Sequence, residues 1–345
     1  MINGFLEELL LSNSVSGSET EIQKKIYAHM GQYADTVSVD EMGSVTAAVN
    51  PAADFRVLLA GHADEIGLMV TYITPGGFLK VSGVGGVYAT CFPGHKVRIH
   101  TKNGMIYGAV VNTRRLSKQE GLKPSDLTID IGVDSEEEAQ RLVSVGDTVN
   151  FDTDFRLLQN GRITGRALDD RVGAYIVMEA LKRAKDMGVA VGAYAAATTG
   201  EETCGSGAYF TASRVKPRFA IAVDVTYATD YPGASESETG LIRLGKGPVI
   251  CHSPAVNRQL NELLAGAAEK AGIAVQYEVA GGRTGTDGDQ MFKTGMGVPF
   301  ALISIPLRYM HSPDETGCLQ DIEDCANLLA QFLHDCTEDT TLKPF

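Results

Sequence analysis

Apolar positions along this chain follow two rhythms that alternate. Ile22, Ile26 and Met30 recur at helical spacing behind a Ser18-x-x-Glu21 sequence of the capping-box type, which predicts a helix there and another over residues 5–11. Strand-like runs follow at Thr36-Val-Ser-Val-Asp40, Ser44-Val-Thr-Ala-Ala-Val49 and Arg56-Val-Leu-Leu-Ala-Gly61. The last is nearly continuous in apolar residues and so predicts a central strand, buried on both faces. From about residue 71 to 160 the texture changes to short β-rich runs broken by glycines, such as Lys96-Val-Arg-Ile-His100, with one helix over residues 135–143 behind a Ser135-x-x-Glu138 cap. Beyond Gly165 the alternation returns. Helices are predicted over 171–187, 207–214, 257–271 and 321–336, with strands over 191–198, 219–223, 273–279 and 298–305. The pattern reads as an α/β fold, a sheet covered by helices on both faces, with a β-rich insertion. The domains expected are 1–70 and 162–345 as two parts of one unit and 71–161 as the inserted block.

Composition narrows the function classes. With 44% hydrophobic and 21% charged residues the 345-residue chain is globular and long enough for two domains, and 38 glycines imply many tight turns. A formal net charge of −13 speaks against a nucleic-acid partner, which needs concentrated Lys and Arg. Six cysteines form no CxxC pair and are expected to be reduced thiols. The first residues lack the basic front of a signal peptide, and no apolar run approaches the roughly 20 residues that span a bilayer. A soluble cytoplasmic protein that binds no membrane is expected.

Five separated segments each place a metal-type ligand at a strand end or a glycine turn. They are Gly61-His62-Ala-Asp64, Leu168-Asp169-Asp170, Gly200-Glu201-Glu202, Ala222-Val-Asp224 and Tyr309-Met-His311. In an α/β sheet the carboxyl ends of the strands line one crevice, so these segments are expected to converge. Two His and three carboxylates suit a pair of divalent ions, each taking one imidazole, one private carboxylate and a share of a bridging one. Such ions sit roughly 3.5–4 Å apart and activate water near neutral pH. Asp64 is expected to fix the ring tautomer of His62. Of the adjacent Glu201 and Glu202, one can bind metal while the other holds the attacking water and passes its proton to the leaving amine. The residues taken singly have plainer readings, since Asp favours turns and caps, and Asp170 could cap the helix that begins at Arg171.

Seven stretches carry a family resemblance: Ser16-Gly-Ser-Glu19, Gly61-His-Ala-Asp-Glu-Ile-Gly67, Ala167-Leu-Asp-Asp-Arg171, Thr199-Gly-Glu-Glu202, Gly245-Lys-Gly-Pro248, Thr284-Gly-Thr-Asp287 and Pro306-Leu-Arg-Tyr-Met-His-Ser-Pro313. Together they resemble the TET-type aminopeptidases, a metallopeptidase family that includes glutamyl aminopeptidases and relatives once labelled cellulases. The resemblance implies a zinc-peptidase-like mixed sheet with an inserted PDZ-like dimerisation domain. It implies that His62 and His311 each bind one ion, that Asp169 bridges both, that Glu202 and Asp224 complete the ligands, and that Glu201 is the general base. The ions implied are zinc, with cobalt or manganese as alternatives. The substrates implied are short peptides, cleaved at their first bond by a homo-oligomer in which dimers build a tetrahedral dodecamer. Asp314 and the Asp287-Gly-Asp-Gln290 stretch depart from the smaller or more apolar residues expected there. The loop Gly281-Gly-Arg-Thr-Gly-Thr286 could shape the side-chain pocket; Arg283 is a candidate partner for acidic substrates, but a surface arginine is the favoured reading, since Arg is mostly exposed.

Three rival readings follow from the same residues. A deacylase would use the same two-metal centre on other amides. A glycosidase would need carboxylates roughly 5–10 Å apart across a sugar bond and leaves both histidines idle. A non-enzymatic assembly protein would need no base beside its ligands.

Overall fold

A computed structural model describes residues 2–343 and 345. Its main sheet has eight strands, in the order Thr36–Val39, Val45–Val49, Gly192–Thr198, Arg56–His62, Phe219–Tyr227, Phe300–Leu307, Val249–His252 and Gln276–Val279. Four central strands, from Gly192–Thr198 to Phe300–Leu307, run parallel, while Val45–Val49 and Val249–His252 pair antiparallel at their flanks. The sheet is therefore mixed, and its central strands are the continuous apolar runs of the sequence. Every residue of Phe300–Leu307 is buried, as is every residue of Phe219–Tyr227 except the last. Burial on both faces follows from the helices that flank the sheet, as parallel strands require.

The helix Leu168–Asp186 lies directly against the strand Arg56–His62. At Gly61 a Cβ would come within 2.5 Å of the backbone of Gly173, so this contact needs glycine. The helix Leu319–Asp335 packs on Leu168–Asp186 in turn, while Ser206–Val215 and Gly288–Met291 pack together elsewhere on the sheet.

The insertion is a closed barrel of six short strands, ordered Gly67–Ile73, Leu79–Val84, Thr128–Asp130, Gly104–Val110, Lys96–Thr101 and Thr148–Phe151. It has its own core around Leu68, Val97, Ile99, Ile129 and Val149, separate from that of the main sheet. A small three-stranded sheet, Arg156–Leu157, Arg162–Gly165 and Glu315–Cys318, joins the chain leaving the barrel to the end of the main fold.

Several expectations change. The Ser18 capping box does not form: the helix Thr20–Met30 has Glu19 at its N-cap with no side-chain cap bond. The carboxylate of Glu19 instead accepts from the amides of Gly17 and Gly200, at 2.9 and 3.1 Å. The strand beginning at Phe219 runs on to Tyr227, which places Asp224 inside it rather than beyond its end. The strands Val249–His252 and Glu315–Cys318 were not expected, and the strand expected over 273–279 is confined to Gln276–Val279. At Ser135 the cap does form, accepting from the Glu138 amide. No helix among the described residues is long and apolar enough to cross a membrane.

Candidate metal centre

Four adjacent central strands deliver the candidate ligands at one end of the sheet. His62 ends its strand, Asp224 stands near the end of Phe219–Tyr227, Glu201 and Glu202 follow Gly192–Thr198 across a Thr199-Gly200 turn, and His311 lies in the turn after Phe300–Leu307. Asp169 stands at the start of Leu168–Asp186, where Asp169 and Asp170 are non-helical and joined by a cis peptide bond.

The structure brings these residues together. Asp169 Oδ1 is 3.2 Å from His62 Nε2, and its Oδ2 is 3.2 Å from His311 Nε2. Glu202 Oε1 lies 3.8 Å from His311 Nε2, and Glu201 Oε2 lies 3.9 Å from His62 Nε2. Donor atoms of His62, Asp169 and Glu202 fall within 4.8 Å of one another, as do those of His62, Asp170 and Asp224. Glu202 Oε1 is buried and has no hydrogen-bond partner. Such an atom is costly unless something binds it, and the imidazole and carboxylate donors around it suit a divalent transition ion.

The electrostatics agree. Burial pushes Glu201 up to about 9 and Asp224 up to about 8, and like charges on their neighbours add to the rise. Glu202 and Asp170 are raised well above the carboxylate range by the same two causes. Burial opposes the charged ring of His62, but hydrogen bonds with Asp169 and Asp64 outweigh it and raise its pKa. Asp169 is likewise opposed by burial, yet the two imidazoles hold it below the usual range. This many crowded carboxylates ionise together only beside added positive charge.

Four further groups fix the candidate ligands. Asp64 accepts from the amides of Glu201 and Glu202, at 3.1 and 3.2 Å, so one carboxylate aims both adjacent glutamates. Its backbone oxygen is 3.1 Å and its Oδ1 3.4 Å from His62 Nδ1, which leaves Nε2 facing Asp169. Asp170 accepts from the amides of His62 and Gly173, so it caps the helix and anchors the strand end together. Glu315 was missed in the sequence; its buried carboxylate accepts from the amides of His311 at 2.8 Å and Asp169 at 3.1 Å. It holds a turn in which Tyr309 and His311 adopt left-handed φ of 61° and 64°, a conformation that costs of order 1–3 kcal/mol for a non-glycine residue. Gly86, from the barrel, was missed as well. Its carbonyl lies 3.0 Å from His311 Nδ1, and a Cβ there would come within 2.9 Å of the ring.

His62, Asp169, Glu201, Glu202, Asp224 and His311 line a cavity of about 300 Å³. A larger one of about 890 Å³ opens at the sheet edge beside His252 and Arg258 but contains none of them, so chemistry rather than size identifies the site. Thr284, Gly285 and Thr286 form part of the smaller cavity's wall, whereas Arg283 is exposed and does not line it. Within the Asp287–Gln290 stretch, Asp287 is buried against the Thr198 hydroxyl and pushed up to about 6 by burial, while Asp289 accepts from the amides of Thr284 and Gly285. Asp314 is exposed.

The family model described as M42 glutamyl aminopeptidase matches residues 43–328. The lysyl aminopeptidase of Pyrococcus furiosus is 32% identical over 340 residues, 96% of each chain. The crystal structure of a TET aminopeptidase from a marine-sediment Thaumarchaeota archaeon superposes with a TM-score of 0.89 at 33% identity, covering 96% of this chain and 95% of that one. The Pyrococcus horikoshii TET1 peptidase, which can assemble into a tetrahedron or a large octahedral shell, matches with a TM-score of 0.86 at 31% identity, covering 96% and 99%.

Proposed function

This chain belongs to the M42 glutamyl aminopeptidase family and is a metal-dependent aminopeptidase, and on that premise we propose that it removes N-terminal residues from short peptides at a dinuclear metal centre. His62, Asp169, Glu202, Asp224 and His311 are the ligands proposed, with Asp169 as the bridge. The carrying observation is Asp169, whose two oxygens each lie 3.2 Å from a different imidazole. Bound there, two divalent ions, zinc or else cobalt or manganese, would polarise the scissile carbonyl and make water acidic near neutral pH. Glu201 is the proposed general base. It is the one of the adjacent pair nearer His62, and beside two cations its carboxylate form is favoured. From there it takes the proton of the attacking water and gives it to the leaving amine. Asp64 aims Glu201 through its amide and orients His62.

Residues 71–161 are proposed as a dimerisation domain of the PDZ-like kind; Tyr72, Met105 and Tyr107 on the barrel surface are exposed and available to a second copy. Assembly of such dimers into a tetrahedral dodecamer is proposed by analogy with the TET1 peptidase, solved as a dodecamer and able to form a tetrahedron. Six free cysteines agree with a reducing, cytoplasmic setting.

Metal content measured on the chelator-stripped and reloaded protein tests this reading. Two ions per chain are expected, with hydrolysis of aminoacyl anilides abolished by chelator. Glu201→Gln is expected to keep both ions and lose about 10²- to 10⁴-fold in kcat. One ion per chain, or a fully active Glu201→Gln protein, overturns it.

A further inference from the structure

Of the carboxylates lining the cavity, Glu278 is the one that the metal chemistry leaves without a task. It belongs to the edge strand Gln276–Val279, where Tyr277 and Val279 are exposed and Glu278 is buried, so strand alternation turns this residue inward. A buried carboxylate needs partners. The hydroxyls of Thr226 and Ser304 donate to it, but among the described residues no Lys or Arg pairs with it, and none lines the cavity.

Those two hydroxyls fix where Glu278 stands. Thr226 follows Asp224 by two positions in one strand, hence on the same face and roughly 7 Å further along. Ser304 is the register partner of Asp224 on the neighbouring strand. The Glu278 carboxylate therefore stands about one strand repeat from the metal ligands. Cys251, Ala280, Leu302 and Met310 supply apolar wall to the same cavity. A cavity that combines apolar wall with a carboxylate free of any cation matches a side chain with an apolar stem and a cationic tip. It would repel a carboxylate, and it leaves a purely aliphatic side chain beside a polar group it cannot satisfy.

We propose that Glu278 sets the specificity of the side-chain pocket and that the enzyme prefers peptides beginning with Lys or Arg, an inference that rests on the aminopeptidase reading above. With Thr226 and Ser304 already donating, the carboxylate retains lone pairs for the donors of an ammonium or guanidinium.

The test compares kcat/KM for lysyl, arginyl, leucyl and glutamyl anilides on the metal-loaded wild-type protein and on Glu278→Gln. In parallel, calorimetry measures binding of lysinamide and of its uncharged isostere norleucinamide. The wild-type protein is expected to favour lysyl and arginyl substrates and to work least on glutamyl ones. In Glu278→Gln the lysyl-to-leucyl ratio is expected to fall about 10- to 100-fold, mostly through KM, and lysinamide to lose its advantage over norleucinamide. An unchanged ratio, or a wild-type preference for leucyl or glutamyl substrates, overturns the proposal while leaving the aminopeptidase reading intact. If no anilide is hydrolysed, the aminopeptidase reading fails instead. The amide pair on the wild-type protein still decides the role of Glu278 in that case, and equal binding overturns it.

Discussion

Two clusters of charged side chains lie side by side at the end of the strand Arg56–His62. In one, Glu65 is clasped by Arg166 at 2.6 Å and Arg171 at 2.5 Å, and also accepts from Asn150. In the other, Asp64, Asp169, Asp170, Glu201, Glu202 and Asp224 surround His62 and His311, and among the described residues no Lys or Arg pairs with any of these carboxylates. The same short stretches feed both: Asp64 and Glu65 are neighbours in sequence, as are Asp170 and Arg171. The first cluster gives its buried carboxylate two cationic partners and ties the amino-terminal segment, the strand, the helix and the barrel together through Ser14, Arg171 and Asn150. The second keeps an excess of negative charge. Burial alone therefore does not mark a functional site; uncompensated burial does.

The contrast can be broken from either side. The largest stability effect is expected at the compensated cluster, where Glu65→Gln leaves Arg166 and Arg171 buried without their counter-charge and costs about 3–5 kcal/mol. Denaturant unfolding would measure it, and the protein that remains folded should still bind its metals. At the other cluster, Asp64→Asn is expected to weaken metal affinity by about 10- to 100-fold, read by competition with a metal indicator. A Glu65→Gln protein of wild-type stability would dissolve the distinction. The subtlest difference is in pH dependence. Burial pushes Glu65 up, but Arg166 and Arg171 outweigh it and hold its pKa below the usual value. Its contribution is thus present above the unfolded pKa and lost as pH falls through the folded one. Asp224 is displaced the other way, to about 8, so the folded chelator-stripped protein holds a proton there that the unfolded chain has released. Stability of the stripped protein is expected to fall as pH rises from about 4 to about 8, and added zinc to flatten that slope. Thermal melts across pH with and without metal would show it.

Much of this was legible in the sequence, for definable reasons. The central strands announced themselves because burial on both faces demands unbroken apolar runs, and strand ends next to His62 and Glu201 marked the crevice. The capping box at Ser18 misled, because Glu19 makes long-range bonds to Gly200 that local pattern does not encode. Glu315 reads as an ordinary acidic residue two positions after a proline. Its role depends on pairing with Gly165, 150 positions earlier. Glu278 was hidden too: a strand was expected over 273–279, but the residue's partners come from two other strands that local pattern does not encode.

One contact reaches further than its size suggests. His311 belongs to the main fold, but the carbonyl that orients its ring belongs to Gly86 of the barrel. The proposed metal site thus draws on two separately cored bodies. A change that displaces Gly86 would therefore be expected to move the ring of a proposed ligand in the main fold.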